Sequence, residues 1–182
     1  MSLVFEALEA MVYAFRTDRI VTKNVARRSA SVIPALILMV CFGGAACSAQ
    51  QRQIYSETAD AKAEVREALA TAAREHKRVL LDFGGNWCGD CKALDYYFHD
   101  PSNASLLAAN YVLVDINIGR FDRNEDLADK YHVPLKKGVP ALTVLEADGK
   151  VVYSQRNGEF ESMGQMESSA VTEFLTKWKP TR

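Results

Sequence analysis

The sequence predicts an α/β fold with a central mixed sheet flanked by helices on both faces. Three observations carry that prediction. Helical and extended patterns alternate from Ser56 to Tyr131, the order expected when helices cover a sheet. Val79 to Phe83 (VLLDF) is short and almost wholly apolar, as a strand buried on both faces must be. Further along, two apolar runs flank Asp148-Gly149, a dipeptide suited to the tight turn of an antiparallel hairpin.

With 182 residues, 48% of them hydrophobic, the chain can bury one core of ordinary domain size. Its formal net charge of −1 contains no block of like charge, so nucleic acid is excluded as an expected partner. Four cysteines stand at 41, 47, 88 and 91. They form two pairs in different surroundings, which points to two separate roles rather than one disulfide framework.

Residues 1–50 read as an N-terminal extension, an export signal and the start of a tether, and residues 51–182 as the folded domain. Ser31 to Cys47 (SVIPALILMVCFGGAAC) is uncharged and follows Lys23, Arg27 and Arg28. A basic flank, an apolar core and then small residues make the layout of a secretory signal. The core falls short of the ~20 apolar residues that usually span a bilayer, and its basic side is expected to stay in the cytoplasm, leaving everything after Gln50 outside. Gly44-Ala45-Ala46-Cys47 resembles the lipobox of bacterial lipoproteins, although Leu usually stands where Gly44 does. That resemblance implies a lipid on Cys47 and anchorage on the periplasmic side of a bacterial membrane. Two other readings stay open: a signal cut near Ala49, and an uncleaved anchor in which Cys41 and Cys47 are small apolar residues. All three agree on export. Residues 1–22 are longer and more acidic than the leading region of a signal needs, and a misassigned start codon upstream is one explanation. After Cys47 acidic residues slightly outnumber basic ones, which weighs against attachment to anionic lipid through the domain's own surface.

In the domain, Gln50 to Tyr55 is polar and reads as the tether. Ser56 to Lys77 is dense in Ala, Glu, Lys and Arg, and Val65, Leu69, Ala72 and Ala73 at helical spacing predict an amphipathic helix with Ser56 as N-cap. The strand Val79 to Phe83 follows, then a helix from Cys88 through Phe98 and one or two helical turns over Ser102 to Ala109. Tyr111 to Ile118 is a second strand and Asn124 to Tyr131 a further helix. Ala141 to Leu145 and Val151 to Tyr153 form the hairpin, and Val171 to Trp178 the last helix. The long connection Ser154 to Ser169 carries Met163 and Met166, and loops of that length are more often functional than idle.

Trp87-Cys88-Gly89-Asp90-Cys91 places two thiols where a buried strand meets a helix. Unpaired N–H groups and the positive end of the helix dipole favour a thiolate at Cys88. Cys91, one turn on, can attack a mixed disulfide and release what is bound there. A lone C-x-x-C pair is also half of many zinc sites, and a structural disulfide is a further reading.

LLDFGGNWCGDCKALD resembles the active-site segment of thioredoxins, and Gly138-Val139-Pro140 resembles their cis-proline loop. The resemblance covers Val79 to Trp178 and implies the thioredoxin fold. It assigns Cys88 as nucleophile, Cys91 as resolving cysteine and Asp82 as a buried carboxylic acid that relays a proton to the latter, its pKa raised by desolvation. It makes Pro140 the cis-proline, with Val139 offering its backbone to an extended client chain. Trp87 is then a client-contacting shield over the thiols, with core packing as its plainer explanation. FHDPSNASLL is similar to the C-terminal domain of DsbD-type reductases.

The chain departs from the common pattern in several places. Gly89 and Asp90 stand between the cysteines in place of Gly-Pro, and Asp90 is expected to penalise a Cys88 thiolate, making the pair more reducing. Gly84 replaces an aromatic residue. Asp115 takes the place of a lysine that often accompanies the buried Asp. The loop HVPLKKGVP is longer and brings Lys136 and Lys137 towards the active face.

The resemblance therefore implies a protein-disulfide reductase for oxidised exported proteins, with a membrane thiol reductase as electron donor and an N-terminal membrane anchor. No organic cofactor and no metal is required; the redox group is the Cys88–Cys91 disulfide itself. Two alternatives use the same cysteines: a disulfide oxidase or isomerase, and a copper or zinc chaperone, the latter needing Met163 and Met166 to fold over the dithiol.

Overall fold

A computed structural model describes residues 52–181. The signal-like stretch, including Cys41 and Cys47, lies outside the described residues.

Helix α1 (Ala61–Glu75) buries Ala61, Val65, Ala68 and Ala72 along one stripe. Its N-cap is Asp60, whose carboxylate accepts the N–H groups of Lys62 and Ala63 at 3.0 and 3.1 Å. The expected cap, Ser56, instead closes a separate turn by accepting from Thr58 and Ala59. The helix begins later than the composition suggests because Asp60 stands immediately before the buried stripe. Ala73 is exposed, outside that stripe.

Strand β1 (Arg78–Gly84) is central and buried from Val79 onward. It pairs in parallel with β2 (Tyr111–Asn117), in the register Asp82 to Asp115, and antiparallel with β3 (Ala141–Leu145). Strand β4 (Val151–Ser154) completes the order β2-β1-β3-β4, joined to β3 by the turn at Asp148-Gly149. Gly149 has φ +86°, a conformation glycine adopts without strain.

Side chains alternate across this sheet into two apolar layers. Val79, Leu81 and Phe83 pack with α1 and with Leu127 and Ala128 of α4 (Glu125–Lys130). Leu80, Leu142 and Val144 pack with α2 (Gly89–Phe98) and α5 (Ser168–Lys177). Helix α3 (Pro101–Asn110) is tied to α2 and α5 by fully buried Asn103, which donates to Tyr97 O and Ser168 Oγ at 3.0 Å and accepts from Thr172 Oγ1 at 2.6 Å. Helices thus cover both faces of a mixed sheet, the thioredoxin fold.

The long connection between β4 and α5 is packed against the core. Phe160 and Met163 are buried in the layer beneath α2, and Met163–Gln165 forms one 3-10 turn. Met163 is therefore a core residue and does not lie over the cysteines, as a soft-metal site would need.

Candidate functional site

Cys88 and Cys91 form a disulfide at the start of α2. Cys88 is the helix N-cap: its Sγ accepts the Cys91 N–H at 3.0 Å. A backbone N–H aimed at this sulfur, together with the helix dipole, stabilises negative charge there when the bond is reduced. Cys88 retains 5% exposure and Cys91 none. An incoming sulfur can reach the first and not the second.

Opposite lies the loop between the 3-10 turn Leu135–Lys137 and β3. The Val139–Pro140 peptide bond is cis, and the Val139 carbonyl oxygen stands 3.5 Å from Cys88 Sγ. The loop is held from behind by buried Gln155, whose amide donates to Pro140 O at 3.3 Å and whose backbone N–H bonds Leu142 O at 3.0 Å. Lys136 and Lys137 are exposed on the turn that precedes it.

Trp87 is 41% exposed, so core packing does not explain it. Its indole N–H donates to Gly119 O at 2.6 Å, Phe121 lies 5.7 Å away ring to ring, and the Arg120 guanidinium sits 5.5 Å over the indole. Phe121 is itself 42% exposed and has φ +68°, a strained conformation for an aromatic residue. The two rings form an exposed aromatic face beside the disulfide.

Gly89 is exposed with open space around it. Asp90 accepts the Gly164 N–H at 2.8 Å, clasping the active-site helix to the long connection.

Beneath the disulfide is an acidic cluster. Asp82 is 1% exposed, not a strand-end carboxylate in water. Desolvation, and then the neighbouring Asp115 and Asp95, push its pKa well above the usual carboxylate range, against a lowering hydrogen bond from Tyr55. Asp115, its register partner, is pushed up to about 6 by burial first and by Asp95 second. One Asp82 oxygen accepts the Tyr55 hydroxyl at 2.7 Å; the other, Oδ1, is buried without a protein partner.

Tyr55 is the residue that sequence reasoning missed. Placed in a polar tether, it is fully buried. Asn86, just before Trp87, accepts the N–H groups of Ile54 and Tyr55 and donates to Tyr55 O at 2.7 Å, fastening the segment to the active-site loop. A Cβ at Gly84 would overlap the Tyr55 phenol and stand 2.9 Å from Cys91 Sγ. The phenol thus occupies the space left by the missing aromatic side chain of β1. Gly84 itself was the available signal: a glycine inside a buried strand marks a close approach by something else. Arg52, three residues earlier, reaches Asp95 at 3.5 Å and His99 at 3.1 Å, bringing a cation to the rim of the cluster.

A thioredoxin-like family model matches residues 60–147. A disulphide isomerase from Xylella fastidiosa Temecula1, known from its crystal structure, is 40% identical; the match covers 69% of this chain and 96% of that one, with a TM-score of 0.67. The thiol:disulfide interchange protein DsbD of Pseudomonas fluorescens is 31% identical over 127 residues, 69% of this chain and 20% of the relative. A protein disulfide-isomerase from Triticum aestivum is 31% identical over 115 residues, 58% of this chain and 19% of the relative. The chain thus spans about a fifth of the length of these two curated relatives.

Proposed function

This chain belongs to the thioredoxin-like family of thiol:disulfide oxidoreductases, and from that premise we propose that it reduces disulfides in exported protein clients through Cys88 and Cys91. The observation that carries the reading is the cysteine pair at the N-terminus of α2, with Cys88 accessible, Cys91 buried and the Val139–Pro140 loop against the first sulfur.

The Cys88 thiolate attacks a client sulfur and displaces the second client sulfur as a thiolate. Cys91, losing its proton, then attacks Cys88 Sγ, breaks the mixed disulfide and closes the internal one. Asp82 manages that proton. Val139 and Pro140 shape the client groove with Trp87, while Gly89 and Asp90 set the redox poise. Return to the dithiol takes two electrons from a membrane thiol reductase, because an oxidising compartment does not keep the pair reduced. A lipid on Cys47 holds the domain at the periplasmic side of a bacterial membrane. The DsbD likeness supports the export and reductase parts of this reading.

The likeness to the 40%-identical disulphide isomerase favours a second direction, isomerisation. Equilibration with glutathione separates the two. A potential near the thioredoxin value of about −270 mV supports reduction, one near about −180 mV isomerisation, and one near about −120 mV oxidation. Clients are identified by Cys91→Ala, which is expected to stall as mixed disulfides on Cys88; failure to accumulate any adduct with an oxidised protein counts against the reading.

A further inference from the structure

Beside the resolving cysteine stands a buried phenol, hydrogen-bonded to Asp82, to which the two-cysteine scheme gives no role. Tyr55 Oη donates to Asp82 Oδ2 at 2.7 Å, and the same phenol and Cys91 Sγ border the Cβ-sized space beside Gly84. The hydroxyl is therefore bonded to the carboxyl group and close to the resolving sulfur, in a place closed to solvent: Tyr55, Asp82 and Cys91 are each 0–1% exposed. The ring position is fixed by Asn86, which holds the Tyr55 backbone from both sides with its amide.

We propose that Tyr55 is the positioning residue through which the proton travels between Cys91 and Asp82, its hydroxyl serving as a fixed relay in place of a mobile water. The proposal rests on the dithiol-exchange reading above. In the resolving step the Cys91 S–H proton passes to Tyr55 Oη while the Tyr55 hydroxyl proton passes to the Asp82 carboxylate. The electron pair left on Cys91 attacks Cys88 Sγ, the Cys88–Cys91 bond forms, and the mixed disulfide breaks. The client sulfur leaves as a thiolate and takes its proton from water, the client disulfide having been the oxidant. When a donor dithiol reopens the internal disulfide, the path runs backward and protonated Asp82 supplies the departing Cys91 sulfur.

The groups that set the titration of Asp82 are Tyr55 from the N-terminal segment, Asp115 from β2 and Asp95 from α2. Arg52, Glu64 of α1 and His99 bear on the neighbouring Asp115. Tyr55→Phe keeps the ring that fills the space at Gly84 and removes the relay alone.

The test follows the reduced full chain reacting with oxidised glutathione, by rapid mixing and mass analysis, for wild type, Tyr55→Phe, Asp82→Asn and the double variant. Tyr55→Phe is expected to leave the formation of the Cys88–glutathione adduct unchanged and to slow its resolution by about 100-fold, the scale of a lost proton-transfer group. The pH dependence of resolution is expected to flatten, and the double variant to be no slower than Asp82→Asn. Resolution by Tyr55→Phe within twofold of wild type across pH overturns the relay, as do losses that multiply in the double variant. Should Tyr55→Phe fold poorly, a proton inventory on wild type in mixed light and heavy water decides instead: curvature from two protons in flight supports the relay, and a straight line overturns it. A wild type that never reacts with oxidised glutathione brings down the functional reading and the relay with it, whereas a cycling wild type matched by Tyr55→Phe brings down the relay alone.

Discussion

Asp90 sits between the two cysteines with one oxygen engaged by the Gly164 N–H, and an asparagine there retains an oxygen for that bond while losing the charge. Asp90→Asn is expected to raise the reduction potential by about 10–30 mV, because a carboxylate near Cys88 disfavours the thiolate and with it the reduced state. An unchanged or lower potential in the glutathione equilibrium refutes that sign. At Gly84 the expectation concerns stability. A methyl group there meets the Tyr55 phenol and approaches Cys91 Sγ to 2.9 Å, so Gly84→Ala is expected to cost about 1–3 kcal/mol through overpacking, read as a lowered urea midpoint. The Cys88–Cys91 pairing, the burial of Asp82 and the cis bond before Pro140 were legible in the sequence, because each of these residues sits in a short motif whose neighbours carry the same information. The role of Tyr55 was not. Its partner lies 27 residues away, and a tyrosine among Gln, Arg and Ser shows no period that betrays burial.

Among the elements, α3 depends on one buried amide more than on its own amphipathicity. Asn103 is the one buried residue of that helix, bonding α2 and α5 at once. Asn103→Ala is expected to lower stability by about 2–3 kcal/mol, since the Tyr97 carbonyl and the Ser168 and Thr172 hydroxyls lose a partner in a partly buried place; a change under 0.5 kcal/mol in chemical denaturation defeats this account. The buried strands were the most legible elements. The expected Ala141 to Leu145 matches β3 end to end, and Val79 to Phe83 lies inside β1, because continuous apolar runs bounded by charge or glycine leave little freedom in placement. Helix ends were harder to read. The first turn of α5, Ser168 to Ala170, is polar and small, so the apolar pattern starts late and the helix was expected only from Val171. In the connection before it, Phe160 and Met163 are buried without any regular spacing, which is why it read only as a long connection and its core residues went unassigned.

For the molecule as a whole, the acidic cluster gives stability an inverted pH slope. Asp82 and Asp115 have folded-state pKa values above their ordinary 3.8, Asp115 at about 6 and Asp82 well raised. Between the ordinary value and the raised ones the native state keeps protons that the unfolded chain has released, so their contribution is fully present below about pH 4 and is lost as pH rises through 6 and beyond. Urea unfolding at pH 5 and pH 8 is expected to show a loss on going to the higher pH that is smaller in Asp82→Asn; equal slopes in the two proteins contradict the assignment. The fastening of Ile54 and Tyr55 by Asn86 carries a practical consequence for where this domain starts. A recombinant fragment trimmed to open at its first helix discards the plug beside Cys91, leaving a hole in the reactive end and a carboxyl group with nothing to hold it. A fragment that keeps this end closed has to carry the residues from Arg52 onward.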